Sequence, residues 1–319
     1  MSGLRYHGLA VATSVVTLAA GIVVGAGPLA ERQATRHNAE SQQLRERQAT
    51  LQQRIEASTA AARADRALAE VLAGPVARGV LADTTVLVVA APGASPALVR
   101  RAAKVVKAAG ASVTGTLTLT GEYVDPGKAQ SPLEDLVLRL VPPGVKFAEG
   151  ATPIERVGTV LARATVTTAT TPPTSIDQKA AEVIAGLIEL RALKLSGDPG
   201  DRAQLAVVVA GPRTRGGADR VTGAEEALLG LVAALDQGSR GTVVLGTADS
   251  AAPGALVAQS RGSASVRTAS TVDTGGTAAG DLALVLGLAE QARGRAGRYG
   301  SGPGADALVP DLSAAGANG

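Results

Sequence analysis

The chain has 319 residues and a net charge of +3, and 45% of its residues are apolar while only 1% are aromatic. This length is enough for one large domain or two small ones. A core so poor in aromatic residues must consist of Ala, Val and Leu, which favours helices packed on a parallel sheet. The small charge and the lack of aromatic platforms argue against a nucleic-acid-binding protein. Cysteine is absent, which excludes disulfides and thiolate metal sites.

An uncharged stretch over residues 8–30 predicts a transmembrane helix. At 1.5 Å per residue it just spans a hydrocarbon core about 30 Å thick. The leader before it, residues 1–7, contains Arg5 and no acid, so the positive-inside rule places the N-terminus in the cytoplasm and the rest of the chain outside. A cleaved signal peptide, with its cleavage site at residues 24–26, is the alternative. The length of the apolar run favours an uncleaved, single-pass anchor.

Small residues recur every fourth position along this predicted anchor, at Thr13, Thr17, Gly21 and Gly25. Such a stripe, ending in GxxxG, lets two helix backbones approach closely in lipid. The spacing therefore predicts a homodimer through the anchor, although small residues are also simply common in this chain.

Residues 31–73 predict a helical stalk, because they are rich in Gln, Arg, Glu and Ala and contain no Gly or Pro. Leu44, Leu51 and Ile55 follow spacings of seven and four residues, which suggests a short coiled coil. Polar residues at neighbouring seam positions weaken that heptad, and a single solvated helix is the alternative. A dimeric stalk would extend the contact predicted for the anchor.

Beyond residue 80, short apolar runs alternate with amphipathic segments. The runs that predict strands are residues 84–90, 112–119, 205–210, 242–245 and 265–272. The segments that predict helices are residues 96–109, 132–140, 154–164, 176–193, 224–236, 255–259 and 278–292. Residues 165–175, rich in Thr and containing two prolines, predict a loop.

This alternation predicts an α/β domain over residues 80–293, with one doubly wound, mostly parallel sheet. Two related halves, about residues 80–150 and 200–293, repeat the same strand–helix–strand theme. The Gly-rich tail, residues 294–319, is expected to be extended or disordered.

No motif for catalysis or for cofactor binding occurs in the predicted domain. None of its strand-to-helix turns matches a dinucleotide fingerprint or a phosphate-binding loop, and the Arg- and Gly-containing loop at residues 211–217 is expected to be a surface turn rather than an anion site. Histidine occurs only at His7 and His37, so the domain contains no Ser-His-Asp triad. We therefore predict a non-enzyme with no catalytic residue and no cofactor.

Metal binding by the predicted domain is not expected either. Copper(I) prefers thiolate or thioether ligands and copper(II) prefers imidazole, but the only methionine is Met1 and no histidine follows His37. No spacing of acidic residues resembles a calcium-binding loop.

Five stretches resemble the actinobacterial copper-transporter family, and they follow the family's order along nearly the whole chain. They are residues 4–7 (LRYH), 20–25 (AGIVVG), 117–124 (LTLTGEYV), 270–273 (STVD) and 299–305 (YGSGPGA). The resemblance implies a cell-envelope protein of copper homeostasis, described in the family as a pore-forming exporter. One transmembrane helix does not conduct ions alone, so a channel role would require oligomers.

Two functions therefore remain at this point. The resemblance implies a component of copper efflux, and the ligand-poor domain favours a non-catalytic scaffold or regulator that meets an envelope partner in the cell wall or division machinery. In either case we expect the working surface near the motifs of the resemblance, where tyrosine is a plausible anchor for packing or partner contact. The residues are Glu122, Tyr123, Asp125, Thr271, Asp273, Tyr299, Gly300 and Gly302.

Overall fold

The computed structural model divides the chain into two compact units, Met1–Asp65 and Arg66–Gly319. It describes residues 47–53, 56, 67, 77–124, 130–171, 177–197, 201–212 and 223–311. In the first unit residues 47–53 are helical, and most of the predicted stalk, residues 31–73, lies outside the described residues. The predicted anchor, residues 8–30, lies outside the described residues. None of the helices that the structure describes has the length and apolar character needed to cross a membrane.

One seven-stranded sheet forms the centre of the second unit. Its strands are β1 (Thr85–Ala90), β2 (Ser112–Leu119), β3 (Leu193–Gly197), β4 (Leu205–Val209), β5 (Thr242–Leu245), β6 (Ser270–Val272) and β7 (Arg298–Tyr299). They lie in the order β3-β2-β1-β4-β5-β6-β7. Only β3 runs antiparallel to its neighbour. The direction in which successive strands are added reverses between the parallel neighbours β1 and β4, where Val86 lies opposite Leu205, so both predicted halves contribute to one doubly wound sheet.

Eight helices accompany the sheet in the part of the chain that is described. They are α1 (Pro96–Ala108), α2 (Gly121–Val124), α3 (Gln130–Arg139), α4 (Pro153–Thr165), α5 (Gln178–Glu189), α6 (Gly223–Gly238), α7 (Leu256–Gly262) and α8 (Ala278–Gln291). Two 3-10 turns occur at Ala248–Ala251 and Ala264–Val266. Local sequence sets the helix starts. At α4, Thr152 and Glu155 form a capping box and Pro153 occupies the first turn.

The sheet is covered on both faces, which explains why its central strands are continuously apolar. On β1, Leu87 and Val89 face the core formed with helices α4 to α6. Val86 and Val88 face the opposite core, with helices α1 and α8. Each fully buried Val or Leu contributes about 1.5–3 kcal/mol. These two cores, rather than any single contact, hold the strands in register.

Two strands of the sheet were not predicted from the sequence. The predicted helix over residues 176–193 ends at Glu189, since Arg191 takes a left-handed backbone conformation (φ 58°). The chain then forms β3, whose Leu193 and Leu195 alternate with polar residues. The second missed strand, β7, lies in the Gly-rich tail. Both are edge strands, where short length and polar flanks hide the usual pattern.

A third difference concerns the strand predicted at residues 265–272. Only Ser270–Val272 pair with the sheet, and a 3-10 turn at Ala264–Val266 precedes them. This segment is too polar for a long buried strand, and its first residues instead turn the chain after α7.

Candidate functional site

The carboxyl edge of the sheet is where doubly wound domains usually bind ligands, beside the point at which strand order reverses. Here that point lies between β1 and β4, and the loops after these strands pack directly on each other. A Cβ atom added to Gly211 would lie 2.1 Å from the backbone oxygen of Pro92. Among the described residues, the opening left at this point has a volume of about 30 Å³, which is room for about two water molecules.

The same edge is closed at β6 by a cluster that we call the tail lock: Arg261, Thr271, Asp273 and the backbone of residues 299–303. Arg261 Nη1 donates to Asp273 Oδ2 at 2.8 Å, and its Nε donates to Thr271 Oγ1 at 3.0 Å. The side chains of Arg261 and Asp273 are only 4% and 0% exposed. Removing two such charges from water is costly unless they are paired and fully hydrogen-bonded.

The tail supplies the remaining hydrogen bonds of the tail lock. The guanidinium of Arg261 donates to the backbone oxygens of Tyr299 and Pro303, each at 2.8 Å. The carboxylate of Asp273 accepts from the backbone N–H groups of Ser301 at 2.8 Å and of Gly302 at 3.0 Å. Every hydrogen bond of the pair therefore leads to β6 or to the tail, and the arrangement binds the tail across the end of β6.

Glycine is required where the tail passes Asp273. Gly300 has a φ of +130°, and a Cβ atom there would lie 2.0 Å from Asp273 Oδ1. The Gly-rich motif at residues 299–305 thus has a physical reason, which is close approach to a buried carboxylate. After the two-residue strand β7, the tail runs through bends and turns up to residue 309, and its contacts with Arg261 and Asp273 hold it in place.

The structure brings together five of the eight residues predicted for the working surface, all in or beside the tail lock: Thr271, Asp273, Tyr299, Gly300 and Gly302. Sequence reasoning missed their central partner, Arg261. One signal was present. Arg261 lies four residues after the fully buried Val257 and so shares its helix face. An arginine at a buried position requires an acid, and Asp273 is the acid that it contacts.

Tyr299 is a core residue of this region rather than an exposed one, at 7% exposure. Its hydroxyl donates to the carboxylate of Glu290. Burial, together with the hydrogen bond and the negative charge of Glu290, raises the pKa of the Tyr299 hydroxyl above its usual range. The hydroxyl therefore stays protonated and serves as a donor within the fold.

The other predicted residues lie elsewhere on the sheet. Glu122 is exposed and Tyr123 is 1% exposed, both on the short helix α2 after β2. The strands β2 and β6 are four positions apart, which is about 19 Å. The hydroxyl of Tyr123 has no hydrogen-bond partner in the described structure, and burial raises the pKa of this group. Asp125 lies outside the described residues.

Asp236 of α6 is a partly buried carboxylate that the sequence analysis did not single out. Its Oδ1 accepts from the backbone N–H of Thr242 at 3.1 Å, and its Oδ2 accepts from Thr268 Oγ1 at 2.6 Å. Burial raises the pKa of Asp236, although both hydrogen bonds oppose the shift. Folding therefore disfavours the ionised form of this side chain.

The variant Asp236→Asn tests the direction of this pKa shift. A raised pKa in the folded state means that ionised Asp236 reduces stability, whereas the neutral amide of asparagine can accept from the Thr242 N–H through its oxygen and donate to the Thr268 hydroxyl through its nitrogen. We expect the variant to have the higher free energy of unfolding at about pH 7, and the gain to shrink as the pH is lowered to about 4, the ordinary pKa of an aspartate, because a raised pKa makes the folded state take up this proton first. Urea unfolding at both pH values measures this. A variant less stable than wild type at neutral pH would contradict the assignment.

The described residues contain no group of three or more His, Cys, Asp or Glu side chains able to hold a metal ion. The ionisable residues of the tail lock are neutralised by each other and sealed from solvent. Among the described residues, neither the tail lock nor the opening between β1 and β4 assembles a nucleophile, a base or an oxyanion site.

A more open surface lies beside α6, on the face of the sheet that α4 to α6 cover, and has a volume of about 700 Å³. We call it the α6 groove. Its residues on α6 follow one face of the helix at spacings of three and four: Glu226, Leu229, Gly230, Ala233, Ala234 and Gln237. Its remaining residues come from the segment 148–155 with Thr159, from Gly223, and from Ser263 and Ser265. Leu229, Ala233 and Ala234 are only half-buried.

The α6 groove is acidic along its rim. Glu149, Glu155 and Glu226 line it and are exposed, and none of the described residues that line it is Lys or Arg. The stem of Glu155 packs near α6, since a Cβ atom added to Gly230 would lie 3.3 Å from Glu155 Cγ. The groove therefore combines an apolar floor of small residues with a negative edge.

Comparison with known proteins identifies the family. The family described as "Copper transport outer membrane protein, MctB" matches residues 1–310 of the chain. The chain is also 28% identical to a protein named "Copper transporter MctB" from Mycobacterium leprae, over 97% of this chain and 99% of that protein. Both descriptions name transport rather than catalysis, and both agree with the resemblance carried by the five sequence motifs. The chain belongs to the MctB family of copper transport proteins.

Proposed function

We propose that this protein acts in copper efflux or copper homeostasis at the cell envelope, and that its α/β domain works by docking other proteins rather than by holding copper or catalysing a reaction. Membership of the MctB family supports the copper role. The α6 groove is the observation that carries the docking role. It offers about 700 Å³ beside a helix face, whereas the opening at the strand-order reversal offers about 30 Å³.

The chemistry of the chain supports an indirect role in copper handling. A high-affinity copper site needs thiolate, thioether or imidazole ligands, and the sequence provides none of these after His37. The domain would instead form part of an assembly. We propose that residues 8–30 anchor it as a single-pass membrane protein with the domain outside the cytoplasm, and that the anchor and the stalk pair two copies. A channel, if formed, would then be a property of the oligomer.

Copper tolerance in the native host tests this proposal. We expect deletion of the gene to increase cell-associated copper and to lower the copper concentration that stops growth. The full-length gene should restore tolerance, and a version lacking residues 1–30 should not, because the domain would no longer be anchored. Growth and copper content unaffected by the deletion would contradict the copper role.

The second candidate is a scaffold or regulator of the cell-wall or division machinery. The α6 groove favours it equally, since it is a surface for a protein and not for a metal. The same deletion strain distinguishes the two functions. Altered cell length or separation in copper-free medium, with normal copper tolerance, would identify the second.

A further inference from the structure

We propose that the α6 groove receives an amphipathic α-helix with a basic flank, contributed by another protein. The proposal deepens the docking role proposed above and rests on it. Residues of α6 that line the groove recur at spacings of three and four from Glu226 to Gln237, which is the pattern of a helix face that packs against another helix. At 1.5 Å per residue this face is about 16 Å long, or three turns.

The floor of the groove suits a helix rather than an extended peptide. A second helix can approach α6 closely, because the floor consists of small residues, Gly230, Ala233 and Ala234. Leu229 provides one larger apolar contact. An extended peptide binds either along a sheet edge with free backbone groups or, as a polyproline segment, in a groove lined by aromatic side chains, and no aromatic residue is among the described lining residues. The groove lies among helices and turns, where the backbone of α6 already forms its own hydrogen bonds.

The rim determines the charge of the partner. Glu149, Glu155 and Glu226 are exposed and acidic, and Lys and Arg are absent among the described lining residues. Like charges brought together across an interface are unfavourable, so a second copy of this face or an acidic helix would be repelled. A helix with Lys or Arg beside its apolar stripe would instead be attracted and correctly oriented.

Two synthetic peptides of about 18 residues test the proposal, a length that covers the face with a turn to spare at each end. Both have the same Leu/Ala stripe, and one carries Lys on its flanks where the other carries Glu. Binding to the full-length chain in zwitterionic nanodiscs is measured by fluorescence anisotropy, with empty nanodiscs as background. We expect the Lys peptide to bind about tenfold tighter or more, with an affinity that falls as salt is added.

Variants of the full-length chain locate the binding surface. Glu149→Lys with Glu226→Lys should weaken the Lys peptide about tenfold and favour the Glu peptide. Ala233→Arg should block the floor and weaken both. Glu189→Lys, an exposed acid at the end of α5, is the matched control and should change nothing. The rim variants alter only exposed side chains, so they remain informative even if Ala233→Arg perturbs folding.

Three outcomes would overturn the proposal. These are equal affinity for the two peptides, no detectable binding of the Lys peptide, and binding unaffected by the rim variants. A fourth result would overturn it as well. If the Ala233→Arg variant, without peptide, sediments with a smaller mass than the wild-type chain, a second copy of the chain occupies the groove. Peptide binding and copper tolerance are separate measurements. If the Lys peptide fails to bind, the proposed copper role is unaffected. If deletion of the gene leaves copper tolerance unchanged, the proposed helix-binding groove is unaffected.

Discussion

Replacing Asp273 by alanine will lower the free energy of unfolding by about 3–5 kcal/mol, which makes the tail lock one of the most sensitive points of the domain. The substitution leaves the guanidinium of Arg261 buried without its counter-charge, since that side chain is 4% exposed. It also removes the acceptor for two backbone N–H groups of the tail, those of Ser301 and Gly302. Urea unfolding of the full-length chain measures the loss, and tryptic cleavage of the tail should become faster at the same time.

An exposed ion pair provides the control for this experiment. Lys179 Nζ lies 3.2 Å from Glu182 Oε2, and the two side chains are 52% and 42% exposed. Glu182→Ala should cost no more than about 1 kcal/mol, because solvent screens such pairs. A double variant that replaces Arg261 and Asp273 by apolar residues should be less destabilised than the sum of the single variants. Similar small losses for Asp273→Ala and Glu182→Ala would show that the tail is not held by the buried pair.

Replacing Tyr123 by alanine will also cost about 3–5 kcal/mol, because a large side chain at 1% exposure is removed from the core. Tyr123→Phe is the matched variant. It removes only a hydroxyl that is buried without a hydrogen-bond partner in the described structure, so its stability should equal or exceed that of wild type. Thermal unfolding of the three proteins measures both changes.

The two Tyr123 variants also separate packing from partner contact. The structure supports packing, and both proteins should then lose or retain copper tolerance in step with their stability. A Tyr123→Phe protein that is fully stable but fails to restore copper tolerance would instead assign a functional role to the hydroxyl.

The sequence predicted the fold well where apolar patterns are long. β1 and β4 are continuously apolar because both faces of the sheet are covered, and that pattern needs no tertiary information. β3 and β7 were missed because they are short edge strands. β3 has five residues and β7 has two, too few for a recognisable pattern, and β7 pairs with β6 next to the tail residues that the tail lock holds.

The candidate site was only partly predictable. The motifs at residues 270–273 and 299–305 indicated a working region, and the structure brings them together, but what they form is a sealed ion pair. Its centre, Arg261, comes from a third segment that carried only a faint signal. The α6 groove was not predicted at all. Its acidic residues come from separate segments. Glu149 and Glu226 line one surface only because the loop before α4 lies beside α6 in the folded chain.

Copper titration of the full-length chain tests the central claim most directly. Isothermal titration with copper(I) under anaerobic conditions and copper(II) under aerobic conditions should show no stoichiometric, submicromolar binding that depends on the α/β domain. Replacing His7 and His37 by alanine removes the only imidazoles of the chain and should abolish any weak copper(II) binding by the N-terminal segments. Tight, stoichiometric binding that persists in that variant would contradict the account and would place copper handling within the domain itself.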